Sequence, residues 1–186
     1  MPSIKLKFED IKFDPKVQSY CVSPSYKCPS YGHSWTCPPE APYMEDIVSK
    51  FKTFYLIYDE INLNEYIKKK QFENPNLSEE KIRNQAYTDS AFKNNLENEI
   101  DKFLENNHED YEEKLILWAG FCRTCYNKVD NGCTYDSGKP CRYPHKQKYA
   151  MEAVGVNVTD TVKNLNVNIE WPPVNFVYRF GLVCFK

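Results

Sequence analysis

The chain has little that would let it grip a nucleotide or cross a membrane. Only six of its 186 residues are glycine, and none builds a glycine-rich phosphate loop, so the usual nucleotide-binding fingerprint is missing. No window approaches the roughly 18 consecutive apolar residues of a membrane span. The opening MPSIKLKFEDIKFD alternates charge with apolar residues and lacks the apolar centre of a signal peptide. Neither sign of charge prevails, with 24 Lys plus Arg against 26 Asp plus Glu and a net charge of −2. That balance is far from the basic excess of proteins whose affinity rests on phosphate contacts. The one basic run, Lys68-Lys69-Lys70, lies beside Glu65 and Glu73 and reads as a solvated face. The expectation is a cytoplasmic protein with no nucleic-acid and no membrane partner.

What the chain has instead is cysteine. Eight are present, and in a reducing compartment they read as ligands or reactive thiols before they read as disulfides. Four fall within residues 120 to 144, as Cys122, Cys125, Cys133 and Cys141, spaced C-x2-C-x7-C-x7-C. The intervening residues carry turn formers (Asp130-Asn131-Gly132, Asp136-Ser137-Gly138, Lys139-Pro140) and no apolar period of their own. A connection of that length without structure is uncommon in a compact domain unless it has a function, and thiolates folding onto a metal supply the order that a missing core cannot. Four thiolates suit either a closed zinc site or a 4Fe-4S cluster.

A second group, Cys21, Cys28 and Cys37, lies in a loop from residue 15 to residue 43 that holds six of the twelve prolines. Proline fixes φ and has no N–H to satisfy, so it can stiffen a ligand loop without a partner. Three thiols leave one ligand to be found. A nearby side chain, Cys184 or a cysteine of the other loop could complete the site, or the metal could keep an open position. Cys184, within the apolar GLVCF, reads as a small core residue. His33 and His145 read as a solvent-facing loop residue and a helix start ahead of ligands, and Tyr31 and Trp35 as packing beneath a loop. Arg142 follows Cys141 directly and is a candidate to neutralise an anionic cluster or to hydrogen-bond its sulfurs.

The remaining chain predicts a single domain over residues 1–186, of α/β class, with a small mixed sheet flanked by helices and the cysteine loops (21–39 and 120–144) together at one end. Residues 4 to 13 suit a short strand or amphipathic arm, residues 44 to 51 a short helix, and residues 51 to 61, aromatic and β-branched, a strand. Residues 76 to 106 carry Ile82, Ala86, Phe92, Leu96, Ile100, Phe103 and Leu104 at helical spacing, with a break near Asp89-Ser90. Asn76 with Glu79 or Ser78 alone caps the start. Residues 114 to 121 suit a buried strand that delivers Cys122, residues 145 to 154 a helix ended by Gly155, and Thr159-Asp160 a cap for a short helix running to Leu165. The tail from residue 175 to residue 185 alternates as a strand.

The blocks CPSYGHSWTCPP at residues 28 to 39, Cys122-Arg123-Thr124-Cys125, Cys141-Arg142-Tyr143-Pro144 and Met151-Glu152-Ala153-Val154-Gly155 together resemble a family of predicted metal-binding proteins of unknown function, found mainly in anaerobic archaea and bacteria. The resemblance spans nearly the whole chain. It implies metal binding by Cys28, Cys37, Cys122, Cys125, Cys133 and Cys141, with Cys21 included, and implies no established reaction. The expectation is one or two 4Fe-4S clusters serving electron transfer or cluster-dependent chemistry for a redox or enzyme protein partner. Two alternatives stand beside it: an enzyme whose three-cysteine cluster keeps an open iron for non-redox or sulfur chemistry, and a zinc-stabilised interaction module.

Overall fold

The computed structural model describes residues 3–24, 26–86, 90–126, 132–163, 165, 167, 169–170 and 173–186. Strand β1 (Ser3–Leu6) is followed by two 3-10 turns (Phe8–Asp10 and Pro15–Cys21) and a small hairpin of β2 (Val22–Ser23) with β3 (Tyr26–Lys27). Helix α1 (Glu45–Val48) precedes the long β4 (Thr53–Asn62), and three helices follow: α2 (Leu63–Glu73), α3 (Glu79–Ala86) and α4 (Ser90–Asn106). Strand β5 (Lys114–Trp118) leads into the second cysteine loop, which returns as β6 (Tyr149–Ala150). A 3-10 turn (Glu152–Val154), helix α5 (Val158–Val162) and β7 (Phe176–Phe185) complete the chain.

The main sheet has five strands in the order β1-β4-β7-β5-β6. All neighbours are antiparallel except β5 and β6, which run parallel with Leu117 opposite Tyr149 and Trp118 opposite Ala150. The sheet is therefore mixed, and helices lie on both faces, as the α/β expectation requires. Its two faces follow from strand alternation. Phe54, Leu56, Leu117, Phe180, Leu182 and Cys184 turn toward Val48 of α1 and Val162 of α5. Ile57, Val183 and Phe185 turn toward Leu96, Ile100 and Phe103 of α4. Each such side chain, taken fully from water, contributes roughly 1.5–3 kcal/mol. Cys184 is fully buried and its thiol pushed far up by that burial, so it is core and not ligand.

Helix α4 presents Phe92, Leu96, Ile100 and Phe103 inward, the spacing read from the sequence. The expected break near Asp89-Ser90 involves residues outside the described set. Ser78 caps α3, its Oγ accepting from the Lys81 N–H at 3.3 Å. Helix α2 has no counterpart in the sequence reading. Asn62 caps it through the N–H groups of Asn64 and Glu65, and Leu63, Tyr66 and Ile67 bury its inner face against Ile82 and Phe92. Lys68 and Lys69 lie on its exposed side and Lys70 pairs with Glu73, a solvated face as expected. Among the described residues no helix is long and apolar enough to cross a membrane.

Two local expectations are corrected. Residues 145 to 154 are not a helix: Pro144–Lys146 is a 3-10 turn, and Tyr149 and Ala150 are drawn to the sheet edge, where pairing with β5 outweighs helical propensity. The final helix is capped by Asn157, whose Oδ1 accepts from the Asp160 N–H at 3.0 Å, rather than by Thr159-Asp160, and it ends at Val162.

Gly155 does terminate its turn, with φ at +95°. Its carbonyl accepts from the Asp14 N–H at 2.9 Å, and Phe13 bridges to Val156, which ties the N-terminal arm to the far end of the chain. A Cβ at Gly155 would run into the Tyr43 ring. Gly155→Ala is therefore expected to lower stability by about 2 kcal/mol or more, read as an earlier midpoint in urea unfolding; an unchanged midpoint would contradict the packing described.

Candidate metal centre

Parallel strands cannot be joined by a tight turn and need a crossover, usually a helix. Between β5 and β6 the crossover is the second cysteine loop, so its thiols stand beyond the C-terminal end of β5. Cys125 lies in a turn closed by the Tyr126 N–H donating to the Arg123 carbonyl at 3.0 Å, and Cys122 immediately precedes that turn. The Cys122 thiol donates to the Thr124 hydroxyl at 3.4 Å, and that hydroxyl donates to the Lys146 carbonyl at 2.8 Å. Cys133 and Cys141 lie in the two arms of a neck in the loop. On one side of them the Thr134 hydroxyl donates to the Pro140 carbonyl at 2.9 Å, and on the other the Arg142 guanidinium donates to the Gly132 carbonyl. Gly132 and Gly138 take positive φ (57° and 67°) at the two bends. The expected turn through Asp130 and Asn131 lies outside the described residues.

The first cysteine loop is clasped to the second. From the 3-10 turn Tyr135–Ser137, Tyr135 meets the Trp35 ring edge to face at 5.0 Å and 73°, and its hydroxyl donates to Glu40 at 3.1 Å. Asp136 bonds the His33 Nδ1 at 2.8 Å. His33 is exposed and so engaged with a carboxylate, and His145 is exposed on its own turn. Together the loops enclose a cavity of about 190 Å³ lined by Cys122, Cys125, Cys133 and Cys141 from one side and by the segment from Pro29 to Thr36 from the other.

Cys28 and Cys37 stand at the ends of that same segment. The Cys28 N–H donates to the Cys21 carbonyl at 2.8 Å at the foot of the β2–β3 hairpin, which makes these two cross-strand neighbours. Burial, helped by the nearness of Cys28 and Cys21, pushes the Cys37 thiol up to about 11 against the opposing Ser34 and Thr36 hydroxyls. Burial, then Cys28, likewise raises Cys21. The loop is fastened beneath by Gln18, whose amide donates to the carbonyls of Ala41 and Ala153 at 2.9 Å each. The seven cysteines therefore form a group of four around one cavity and a group of three behind its opposite wall.

Beneath the crossover lies Glu97 of α4. One carboxylate oxygen accepts from Arg123 and the other from Lys148 at 2.7 Å. Although burial alone would raise its pKa, Lys148 and Arg123 hold it below the ordinary glutamate range. Nothing in the spacing of the sequence links Glu97 to the cysteines, and the same is true of Tyr135 and Asp136 as clasp residues.

A family model described as predicted metal-binding protein (DUF2284) matches residues 4–185. The chain belongs to this family. No curated protein and no solved structure matches it. Membership makes the chain a member of a predicted metal-binding family and leaves the metal unspecified.

The thiols fit such a role in two respects. Their donor set is soft and sulfur-rich, suited to zinc or iron-sulfur ligation. The indole N–H of Trp35, a residue of the cavity wall, is buried without an acceptor among the described residues, and a buried unmade donor costs about 1–3 kcal/mol that a thiolate or sulfide on the cavity side would recover. Among the described residues no three cysteine, histidine or carboxylate side chains gather as closely as a single ion requires; the four thiols edge the cavity instead. Arg142 is exposed, and its hydrogen bond goes to the loop backbone, not to a sulfur.

Two outcomes are expected. Trp35→Phe keeps the ring on Tyr135 but removes the stranded donor, so the metal-free protein should unfold no more easily than the parent. The loaded protein should give up its metal to a chelator about tenfold more readily; equal release would remove Trp35 from the site. Since the pKa of Glu97 is depressed on folding, its stabilisation is complete above the ordinary glutamate range and fades as pH falls through the folded value. In thermal melts across acid pH, Glu97→Gln should flatten that decline relative to the parent.

Proposed function

We propose that the protein is an iron-sulfur protein whose group Cys122, Cys125, Cys133 and Cys141 holds a 4Fe-4S cluster, and that it works in electron transfer or cluster-dependent chemistry with a protein partner. The observation that carries this reading is the cavity itself. Four thiols border about 190 Å³, which gives a polynuclear cluster both its four ligands and room between them.

Such a cluster, when bound, supplies one-electron chemistry. The chain's own part is to hold and shield it. The neck at Gly132–Arg142 and Thr134–Pro140 closes the stretch that carries Cys133 and Cys141, the Cys122–Thr124–Lys146 chain orients the protonated Cys122 thiol before ligation takes its proton, and Trp35 with Tyr135 packs over the wall. Tyr126 and Tyr143, both on the cavity lining and both exposed, offer the surface on which a redox or enzyme partner would sit. Deprotonation of the buried Cys37 is part of any loading of the second group, because ligation requires the thiolate.

The group Cys21, Cys28 and Cys37 favours a second reading in the same protein. Three neighbouring thiols with Ser34 and Thr36 hydroxyls beside the deepest of them form a site one ligand short, which suits a second cluster with an open position for a small substrate.

Iron, zinc and acid-labile sulfide analysis on protein purified without oxygen tests both. About four irons with matching sulfide support the first centre and about eight support two; zinc without sulfide would sink the proposal. Cys125→Ser should abolish the first centre's absorption and EPR signals, whereas Cys28→Ser should remove only the second and leave the first spectrum intact.

A further inference from the structure

Beside the cysteine crossover lies a larger concavity that the thiols do not enter. It is an open groove of about 710 Å³ between α4, β5 and the residues leading into β6, within the usual range of about 300–1,000 Å³ for small-molecule sites. Its walls carry Lys114, Arg123, Lys146 and Lys148 against one carboxylate, Glu97. This is a concentration of positive charge in a chain whose net charge is −2. Glu97 is already divided between Arg123 and Lys148. Lys114 and Lys146 have no carboxylate partner among the described residues; Lys114 meets Tyr111, its ammonium 3.4 Å from the hydroxyl and 5.6 Å from the ring centroid. Two of the four cations are thus uncompensated by a carboxylate, and a concave wall strengthens the field they present, so the groove favours an anion.

The floor is not polar. Leu115, Ile116 and Met44 contribute apolar surface, and the rings of Trp118, Tyr126 and Tyr149 stand among the cations. The Lys148 ammonium lies 4.0 Å over the Trp118 ring while it donates to Glu97, so two contacts hold it at the groove wall. Thr124, Tyr126 and Gln147 border both this groove and the thiol-lined cavity, so a molecule in the groove lies next to the cysteine centre.

We propose that this groove is a binding site for a small organic anion, a carboxylate or phosphate ester with a flat apolar body, held against the cysteine centre as its substrate. The anionic end lies among Lys114, Lys146 and Lys148, and the body lies on the apolar floor toward Tyr126. The inference places a substrate at the metal centre proposed above, but the groove binds anions whatever the thiols hold.

Isothermal titration of the protein purified without oxygen, with phenyl phosphate, benzoate and inorganic phosphate in separate runs, tests it. Phenyl phosphate or benzoate should saturate in the low millimolar range or below, and which of them binds tighter identifies the anionic end. Inorganic phosphate should bind more weakly, having no body to bury. The double substitution Lys114→Ala with Lys146→Ala, both at exposed positions, should weaken binding about tenfold or more, while Lys81→Ala on α3 leaves it unchanged. The proposal is overturned if no organic anion saturates, if inorganic phosphate binds as tightly as phenyl phosphate, or if the double variant binds like the parent. Metal content measured on the same samples keeps the two readings apart: metal without anion binding removes the groove alone, and anion binding to a protein that takes up no metal removes the cluster alone.

Discussion

Two strands running in the same direction side by side must be joined by a long excursion, and the parallel pair of β5 and β6 is the constraint on which this molecule rests. Most proteins meet it with a helix that brings its own hydrogen bonds and its own apolar face. Here the excursion is polar, rich in turns and carries four thiols, so its order comes from elsewhere. The neck at Thr134–Pro140 and Gly132–Arg142, the clasp of Tyr135 and Asp136 on the first cysteine loop, and the anchoring of Arg123 and Lys148 by Glu97 divide that task. A centre bound by the thiols would add the last constraint and so would serve the fold as well as the chemistry.

The sheet was legible because its strands speak in a strong dialect. FKTFYLIYDEI and VNFVYRFGLVCF alternate or cluster apolar residues as buried strands do, and α4 announces itself through Phe92, Leu96, Ile100 and Phe103. The misses have two causes. Tyr149 and Ala150 look helical in HKQKYAMEAV, yet a neighbouring strand claims their backbone groups, and no local pattern can foresee that. Helix α2 carries Leu63, Tyr66 and Ile67 at helical spacing after an Asn cap, a signal masked by the lysines that follow it.

For the candidate site, the two cysteine clusters stood out by their spacing, and the apolar run around Cys184 marked it as the core residue it proves to be. What spacing could not convey is how the groups are shared out. The segment from Cys28 to Cys37 holds two members of one group at its ends and walls the other group with its middle, an arrangement set by the contacts of Trp35 and His33 with residues a hundred positions away. Such pairings belong to tertiary structure. Glu97 is a further case, since a lone glutamate among many on a helix carries no mark of being the one beneath the loop.

The position of Glu97 bears on how portable the cysteine loop is. Residues 119 to 148 look like a cassette that could be cut out and moved to another scaffold, with both ends close together at the tip of β5. Yet the two cations nearest its ends, Arg123 and Lys148, are both held by a single carboxylate on a helix that precedes the loop in the chain. A transplanted loop would keep its thiols and lose the point that draws its two ends together, leaving two like charges facing each other where the parent has a closed triad. The smallest piece that can be inherited whole is therefore the loop together with α4, and recombination between the two would separate a lock from its key.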